Sequence, residues 1–204
     1  KGKTLGVWFY GNEYPFLSWM SRLGLKTDGS ADGVTVLRQG WGVEPLTEGQ
    51  AACVSTMSYN EYWVVRDAGY SPEQLTVFKY QSEGAATLED GLYVHEKNLS
   101  DAAFKDKMVR FVRASMKGWK YAEANPKEAA MIILDNDDAG VQTEKHQVRM
   151  MGEIAKLTAG SNGSLDPADY ERTVKVLMSG DSDPVITKKP SGAWTNEITN
   201  AALN

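Results

Sequence analysis

Short apolar runs alternate with amphipathic segments in the first half of the chain. Three runs, Thr4–Tyr10, Val34–Leu37 and Ala51–Val54, are bounded by turn residues and predict strands. After the first run, apolar residues recur at the spacing of one helical face, which predicts a helix that begins near Asn12–Pro15 and ends at Gly24. This alternation of strands and helices predicts an α/β fold with a largely parallel sheet.

Helical periodicity dominates the second half of the chain. Two short strands, Leu75–Tyr80 and Asp90–Val94, are predicted before it. Ser100 is predicted to cap a long helix whose apolar residues keep a 3.6-residue period, and Asn125–Pro126 and Asp166–Pro167 predict the starts of two more. Because so few strands accompany these helices, we expect them either to pack on the first half or to belong to a lobe whose sheet lies outside this sequence.

Composition excludes several classes of protein. The 204 residues include 22 basic and 27 acidic side chains, for a net charge of −5, and the basic residues form no stripe, which argues against a nucleic-acid surface. No apolar run approaches the roughly 20 residues of a membrane span, and the first residues lack the pattern of a secretory signal. Cys53 is the only cysteine, so we expect a buried, inert thiol and no intrachain disulfide.

The sequence predicts no catalytic or metal-binding constellation. His95 and His146 each lack a neighbouring histidine or cysteine at ligand spacing. The acidic stretches Asp135–Asp138 and Asp181–Asp183 lack the spacing of a calcium-binding loop, so solvated surface is the better interpretation. No nucleophile elbow, phosphate-binding glycine loop or zinc-binding helix motif occurs. We therefore expect neither a metal nor a cofactor.

Aromatic and polar residues cluster where the predicted strands end. If the first three strands are parallel neighbours, the residues that follow them share one edge of the sheet, where open α/β sheets bind ligands. Rings flanked by a few amides and carboxylates predict a pocket for a flat, polar, nitrogen-rich compound. Alone, Asn12 fits a helix cap better than a ligand contact, and the stretch 49–63 fits an ordinary strand followed by a helix equally well. The predicted ligand-binding residues are Trp8, Tyr10, Asn12, Glu13, Gln39, Trp41, Tyr59, Asn60, Glu61 and Asp90.

Several motifs resemble the NMT1/THI5-like (SsuA/THI5-like) group of periplasmic substrate-binding proteins, which serve ABC transporters. The most specific matches are MSYNE at 57–61 and LEDG at 88–91. The helical sequence at 110–130 resembles the helix that usually follows in these proteins. The remaining matches are KGKTLGVWFYGNEYPFL at 1–17, QGW at 39–41, GQAACVSTMSYNEYW at 49–63 and LEDGLYV at 88–94.

The resemblance implies a periplasmic-binding-protein-like (type II) fold, in which two α/β lobes joined by a hinge enclose the ligand. Residues 1–80 resemble the second lobe, 81–90 the hinge, and 91–204 the mostly helical end of the first lobe. The family's N-terminal segment, with its signal or lipoprotein peptide, is not found before Lys1. We therefore expect an incomplete first lobe, either because the chain is a fragment or because a second chain completes the sheet in a dimer.

The resemblance also implies a function. We expect a solute-binding component of an ABC importer, located in the periplasm or as a cell-surface lipoprotein, with the transporter's permease as partner. A thiamine pyrimidine precursor is the first expected ligand, with riboflavin, another aromatic vitamin, nitrate or a sulfonate as alternatives. The family also includes fungal-type enzymes that make the pyrimidine precursor. Their lysine and histidine belong to the segment not found here and their cysteine-rich motif is absent, so we expect a binding protein and not an enzyme.

Overall fold

A computed structural model describes residues 1–179 and 184–203, so the acidic stretch Asp181–Asp183 lies outside the described residues. Two short 3-10 helices, Pro72–Gln74 and Glu96–Ser100, accompany the regular elements. Strands and helices are both present, which confirms the mixed α/β class. In chain order the elements are β1 (Thr4–Val7), α1 (Glu13–Arg22), β2 (Thr35–Arg38), α2 (Glu44–Thr47), α3 (Glu61–Asp67), α4 (Ala102–Ala124), α5 (Pro126–Asp135), α6 (Glu144–Thr158), α7 (Pro167–Leu177) and α8 (Glu197–Leu203).

The sheet is parallel and has β1 at its centre. β1 pairs with β2 over all four residues. On its other side, Leu5 forms a parallel bridge with Cys53. There the Gly6 amide donates to the Cys53 carbonyl at 2.7 Å, and the Ser55 amide donates to the Gly6 carbonyl at 3.0 Å. The predicted third strand at Ala51–Val54 is therefore parallel to β1, as expected, but it is reduced to a single bridge.

The hydrophobic core of this region lies between α1 and the sheet. Val7, Phe16, Met20 and Val34 are all buried and form one cluster. The predicted helical face of α1 supplies two of these side chains, and α1 begins inside the predicted range and ends two residues before Gly24. Partly buried side chains surround the cluster, namely Leu5, Trp19, Leu25, Val36 and Tyr80.

Two predicted strands are wrong. Residues 75–80 and 90–94 form neither a strand nor a helix in the structure. In the first segment, Val77 and Phe78 are 54% and 52% exposed, and residues 90–94 are exposed throughout. A run of β-favouring residues forms a strand only when a neighbouring strand accepts its backbone hydrogen bonds and its side chains are packed.

The long helix α4 begins at a different cap from the predicted Ser100. The Asp101 carboxylate accepts hydrogen bonds from the amides of Ala103 at 2.8 Å and Phe104 at 3.3 Å, and so satisfies two free N–H groups of the first turn. Ser100 instead donates from its hydroxyl to the Lys97 carbonyl at 2.7 Å. The prediction missed the cap by one residue, because Ser100 closes the preceding 3-10 turn.

The chain forms two compact units. The first unit contains Lys1–Glu89 and Pro167–Ser191, and the second contains Asp90–Asp166 and Gly192–Asn204. The first unit therefore includes the sheet, α1 to α3 and α7. The division predicted from the sequence, at residues 81–90, stays a prediction.

The second unit is entirely helical in its regular structure. α5 packs on α6, and α4 packs on α8, where the Arg113 guanidinium donates to the Ala202 carbonyl at 2.9 Å. α5 leaves Met131, Ile132 and Ile133 exposed. Among all the helices in the described part of the chain, none is long and apolar enough to cross a membrane.

Candidate functional site

The carboxyl ends of β1 and β2 lie at the same edge of the sheet, because the strands are parallel. Gln39 follows β2 at this edge and is buried, with 6% of its surface exposed. Its amide nitrogen donates to the carbonyls of Ser55 at 2.9 Å and Gly42 at 3.1 Å, and its amide oxygen accepts from the Ser55 amide at 2.8 Å. Gln39 therefore connects the end of β2 to Ser55, which follows the predicted third strand at Ala51–Val54. The sequence predicts it as a ligand contact, whereas its hydrogen bonds serve the backbone of the edge.

Two tryptophans meet the loop that follows Gln39. Trp8 is half-buried, and its indole nitrogen donates to the Gly40 carbonyl at 2.9 Å. Trp41 lies between two glycines and is 96% exposed. A fully exposed indole gains nothing from the core, so its ring is available as contact area for a ligand.

Tyr10 leaves the strand in a left-handed conformation. Its φ is +64° and that of Gly11 is +110°. β1 itself ends at Val7, three residues earlier than predicted, where its pairing with β2 ends. The Tyr10 ring is 90% exposed, and the Arg38 guanidinium carbon lies 4.6 Å from its centroid. The same carbon lies 5.5 Å from the centroid of Phe9. The edge therefore carries a cation in contact with two aromatic rings, which the sequence did not predict.

Asn12 and Glu13 stabilise the turn between β1 and α1. The Glu13 carboxylate accepts from the Gly11 amide at 2.7 Å, and the Asn12 side-chain amide donates to the Phe9 carbonyl at 3.2 Å. Asn12 occupies the position before α1 but its side chain makes no capping hydrogen bond. The interpretation of Asn12 as a side-chain cap is therefore wrong, because the side chain turns back to the strand end.

Tyr59, Asn60 and Glu61 lie at the start of α3. One Glu61 oxygen accepts from the Met57 amide at 2.9 Å, and the other accepts from the Asn60 side-chain amide at 2.7 Å. Tyr59 is half-buried. Each carboxylate oxygen has a second lone pair, so Glu61 is oriented by these bonds and can still accept a hydrogen bond from a ligand.

Asp90 is assigned to a different compact unit from the other predicted site residues. It belongs to the second compact unit, whereas the other nine belong to the first. It is exposed, and its φ of +37° places it in the left-handed region. Its place in a ligand site stays a prediction.

The Cys53 thiol and the Tyr80 phenol are half-buried groups of the first unit. Burial raises the pKa of the Cys53 thiol. Burial first, and the nearby Cys53 second, raise the pKa of the Tyr80 phenol to about 12, while a hydrogen bond with the Ser55 side chain acts in the opposite direction. Both groups are therefore neutral at ordinary pH, which agrees with the expected inert thiol.

The sequence analysis missed Arg38, Ser55 and Tyr80. The position of Arg38 just after an apolar run was a usable signal, because it places the side chain at the strand end. Ser55 and Tyr80 carried no such signal, since their neighbours come from distant parts of the chain. Within residues 1–179 and 184–203, no three His, Cys, Asp or Glu side chains are placed to hold a metal ion.

Comparison with known proteins places the chain in a family. The family model described as NMT1/THI5 like matches residues 1–129, which is more than half of the 204 residues. No curated protein matches the chain. The matched region contains the whole sheet edge described above and extends through α4 into α5. The chain therefore belongs to the NMT1/THI5-like family.

Proposed function

We propose that this protein is the solute-binding component of an ABC importer and that it binds a small heteroaromatic compound. Family membership supports a role in binding a substrate. The proposal includes a type II arrangement of two lobes, a hinge at 81–90, a permease partner, and a location in the periplasm or on the cell surface. A thiamine pyrimidine precursor comes first as ligand, with riboflavin or another aromatic vitamin next and nitrate or a sulfonate as alternatives.

One observation carries the ligand class: aromatic rings and oriented polar groups share the carboxyl edge of the sheet. Trp41 has an exposed ring at this edge. The indole nitrogen of Trp8 donates to the carbonyl of Gly40, the residue before Trp41. Ring stacking contributes about 1–3 kcal/mol for each base-like ring in other proteins. An apolar ring system with polar atoms at its rim is the compound that such an edge would bind best.

The polar residues would give the site its specificity. In the proposal, Tyr59 adds a third ring, while Asn12, Glu13, Asn60 and Glu61 meet the polar atoms of the ligand. Glu61 is held in place by the Met57 amide, so it loses little freedom on binding. A carboxylate that accepts from an aminopyrimidine forms a charge-assisted hydrogen bond, which contributes about 1.5–3 kcal/mol.

The second candidate, a pyrimidine-precursor biosynthetic enzyme, comes from the same family. Cysteine chemistry requires the thiolate, and the raised pKa of Cys53 disfavours that form. This argues against Cys53 as a nucleophile at the sheet edge. A pyridoxal-type absorbance in the visible spectrum of the purified protein, together with turnover to a pyrimidine, would favour the enzyme instead.

The experiment is a calorimetric titration of the full chain with thiamine, its pyrimidine precursor, riboflavin, nitrate and an alkanesulfonate. We expect binding of at least one heteroaromatic compound, and Trp41→Ala should weaken it by about 1–3 kcal/mol, or roughly 5- to 150-fold in Kd. Tyr93→Ala is the matched control, because Tyr93 is 87% exposed and lies in the second unit.

Two results would contradict the proposal at different levels. If no heteroaromatic compound binds, the ligand class is wrong. If one binds but both Trp41→Ala and Glu61→Ala keep the full affinity, the ligand class stands and the sheet edge is not its site.

A further inference from the structure

Arg38 is the one arginine at the sheet edge, and its guanidinium has no anionic partner among the described residues. It is the last residue of β2 and is exposed. Its side chain contacts the rings of Phe9 and Tyr10, with the guanidinium carbon 5.5 Å and 4.6 Å from the ring centroids. A cation in this position is held by the electrons of the ring faces.

Other arginines of the chain use their guanidinium groups differently. They donate to backbone carbonyls or pair with carboxylates, so at least one N–H group of each is already used within the fold. These arginines are Arg22, Arg66, Arg110, Arg113 and Arg172. Arg38 differs from these arginines: ring contacts hold its side chain, and its N–H donors make no hydrogen bond to the described residues.

The carboxylates of the predicted site in the first unit have other partners. Glu13 accepts from the Gly11 amide, and Glu61 accepts from the Met57 amide and the Asn60 side chain. Neither forms an ion pair with Arg38. Stacking on a ring face leaves the planar fork of N–H donors free to meet two oxygens at once, which is the arrangement that binds carboxylate and phosphate groups.

We propose that Arg38 binds an oxyanion substituent of the ligand, so that the site takes an aromatic compound carrying a phosphate, sulfonate or carboxylate group. This inference rests on the proposed function and adds the charge of the ligand to it. Trp41, three residues along the chain, would contact the aromatic part while Arg38 meets the anionic group. Arg38 is then the residue that distinguishes a charged ligand from its neutral parent.

The test compares each aromatic parent with its phosphate ester: riboflavin with flavin mononucleotide, and thiamine with thiamine monophosphate. Calorimetry on the full chain should show at least one ester binding about tenfold or more tightly than its parent. Arg38→Gln should remove that preference, so that each ester binds no more tightly than its parent in the variant. Arg38→Lys should lose most of the preference, because an ammonium lacks the planar fork.

Arg110→Gln is the matched control, since Arg110 is an exposed arginine on α4 paired with Asp106. It should keep the preference for the ester. The inference is overturned if parents bind as tightly as esters, if Arg38→Gln keeps the preference, or if inorganic phosphate binds as tightly as the esters. If neither parents nor esters bind, the inference is overturned. The proposed function then stands if the pyrimidine precursor binds, and fails if that compound does not bind either.

Discussion

Gly6 shows how one residue determines the geometry of the sheet edge. A Cβ atom at this position would lie 3.0 Å from the Val54 side chain, 3.2 Å from the Gln39 amide oxygen and 3.4 Å from the Cys53 carbonyl. The absence of a side chain allows three segments to approach closely. That approach brings Gln39 within hydrogen-bonding distance of Ser55.

We predict that Gly6→Ala lowers the free energy of unfolding by about 1–3 kcal/mol, because the added methyl group overpacks a closed site. Urea denaturation measures this as a lower midpoint with an unchanged slope. Gly118→Ala is the control, since a Cβ atom at this position of α4 would have no neighbouring atom within 4 Å. It should raise the stability by about 0.5–1 kcal/mol. Equal effects of the two substitutions would contradict the close approach at Gly6.

At the scale of an element, α4 depends on its first turn. The helix has 23 residues but buries only Val112, so packing contributes less to it than to a core helix. Its cap at Asp101 therefore matters more than usual, because a helix with little tertiary support relies on local interactions.

We predict that Asp101→Ala lowers the free energy of unfolding by about 0.5–2 kcal/mol, because two amides of the first turn lose their acceptor. Ser100→Ala removes only a hydroxyl that donates to Lys97 and should cost less. Paired thermal melts of the two variants measure the difference. A larger loss for Ser100→Ala would restore the cap assignment made from the sequence.

The elements that the sequence predicts well are those whose pattern is local. Helices such as α1 and α4 follow from apolar spacing, and α5 and α7 begin at prolines as predicted. The segment 75–80 was predicted wrongly because composition does not reveal whether a strand has a neighbour. The sheet edge was predicted from strand ends, but the stacking of Arg38 on Tyr10 depends on a left-handed turn that the sequence does not specify.

At the scale of the whole molecule, two half-buried neutral groups, Cys53 and Tyr80, make the free energy of unfolding depend on pH in the alkaline range. The folded pKa values of Cys53 and Tyr80 are raised above their ordinary values of 9.0 and 10.0. The unfolded chain therefore loses these protons at lower pH than the folded chain does. The stability that the neutral forms contribute is complete below pH 9.0 and is lost as the pH rises through the folded values.

We predict that the free energy of unfolding falls between about pH 9 and pH 12, and that Tyr80→Phe reduces the fall because it removes one titrating group. Urea denaturation across this pH range measures the effect. Tyr93→Phe is the control for the loss of a phenol, because Tyr93 is largely exposed. Identical profiles for the Tyr80 variant and the parent protein would show that Tyr80 is not shielded from solvent.

The first unit is assembled from two distant parts of the chain. The hydroxyl oxygens of Ser18 and Ser179 lie 2.7 Å apart across 161 residues, and the Leu88 amide donates to the Thr173 hydroxyl at 2.8 Å. A ribosome that adds 5–20 residues per second needs roughly 5–20 s to travel from the end of the first segment to the end of α7. During that interval the strands have been synthesised but α7 has not. The first unit therefore cannot complete its folding until the later segment has been made.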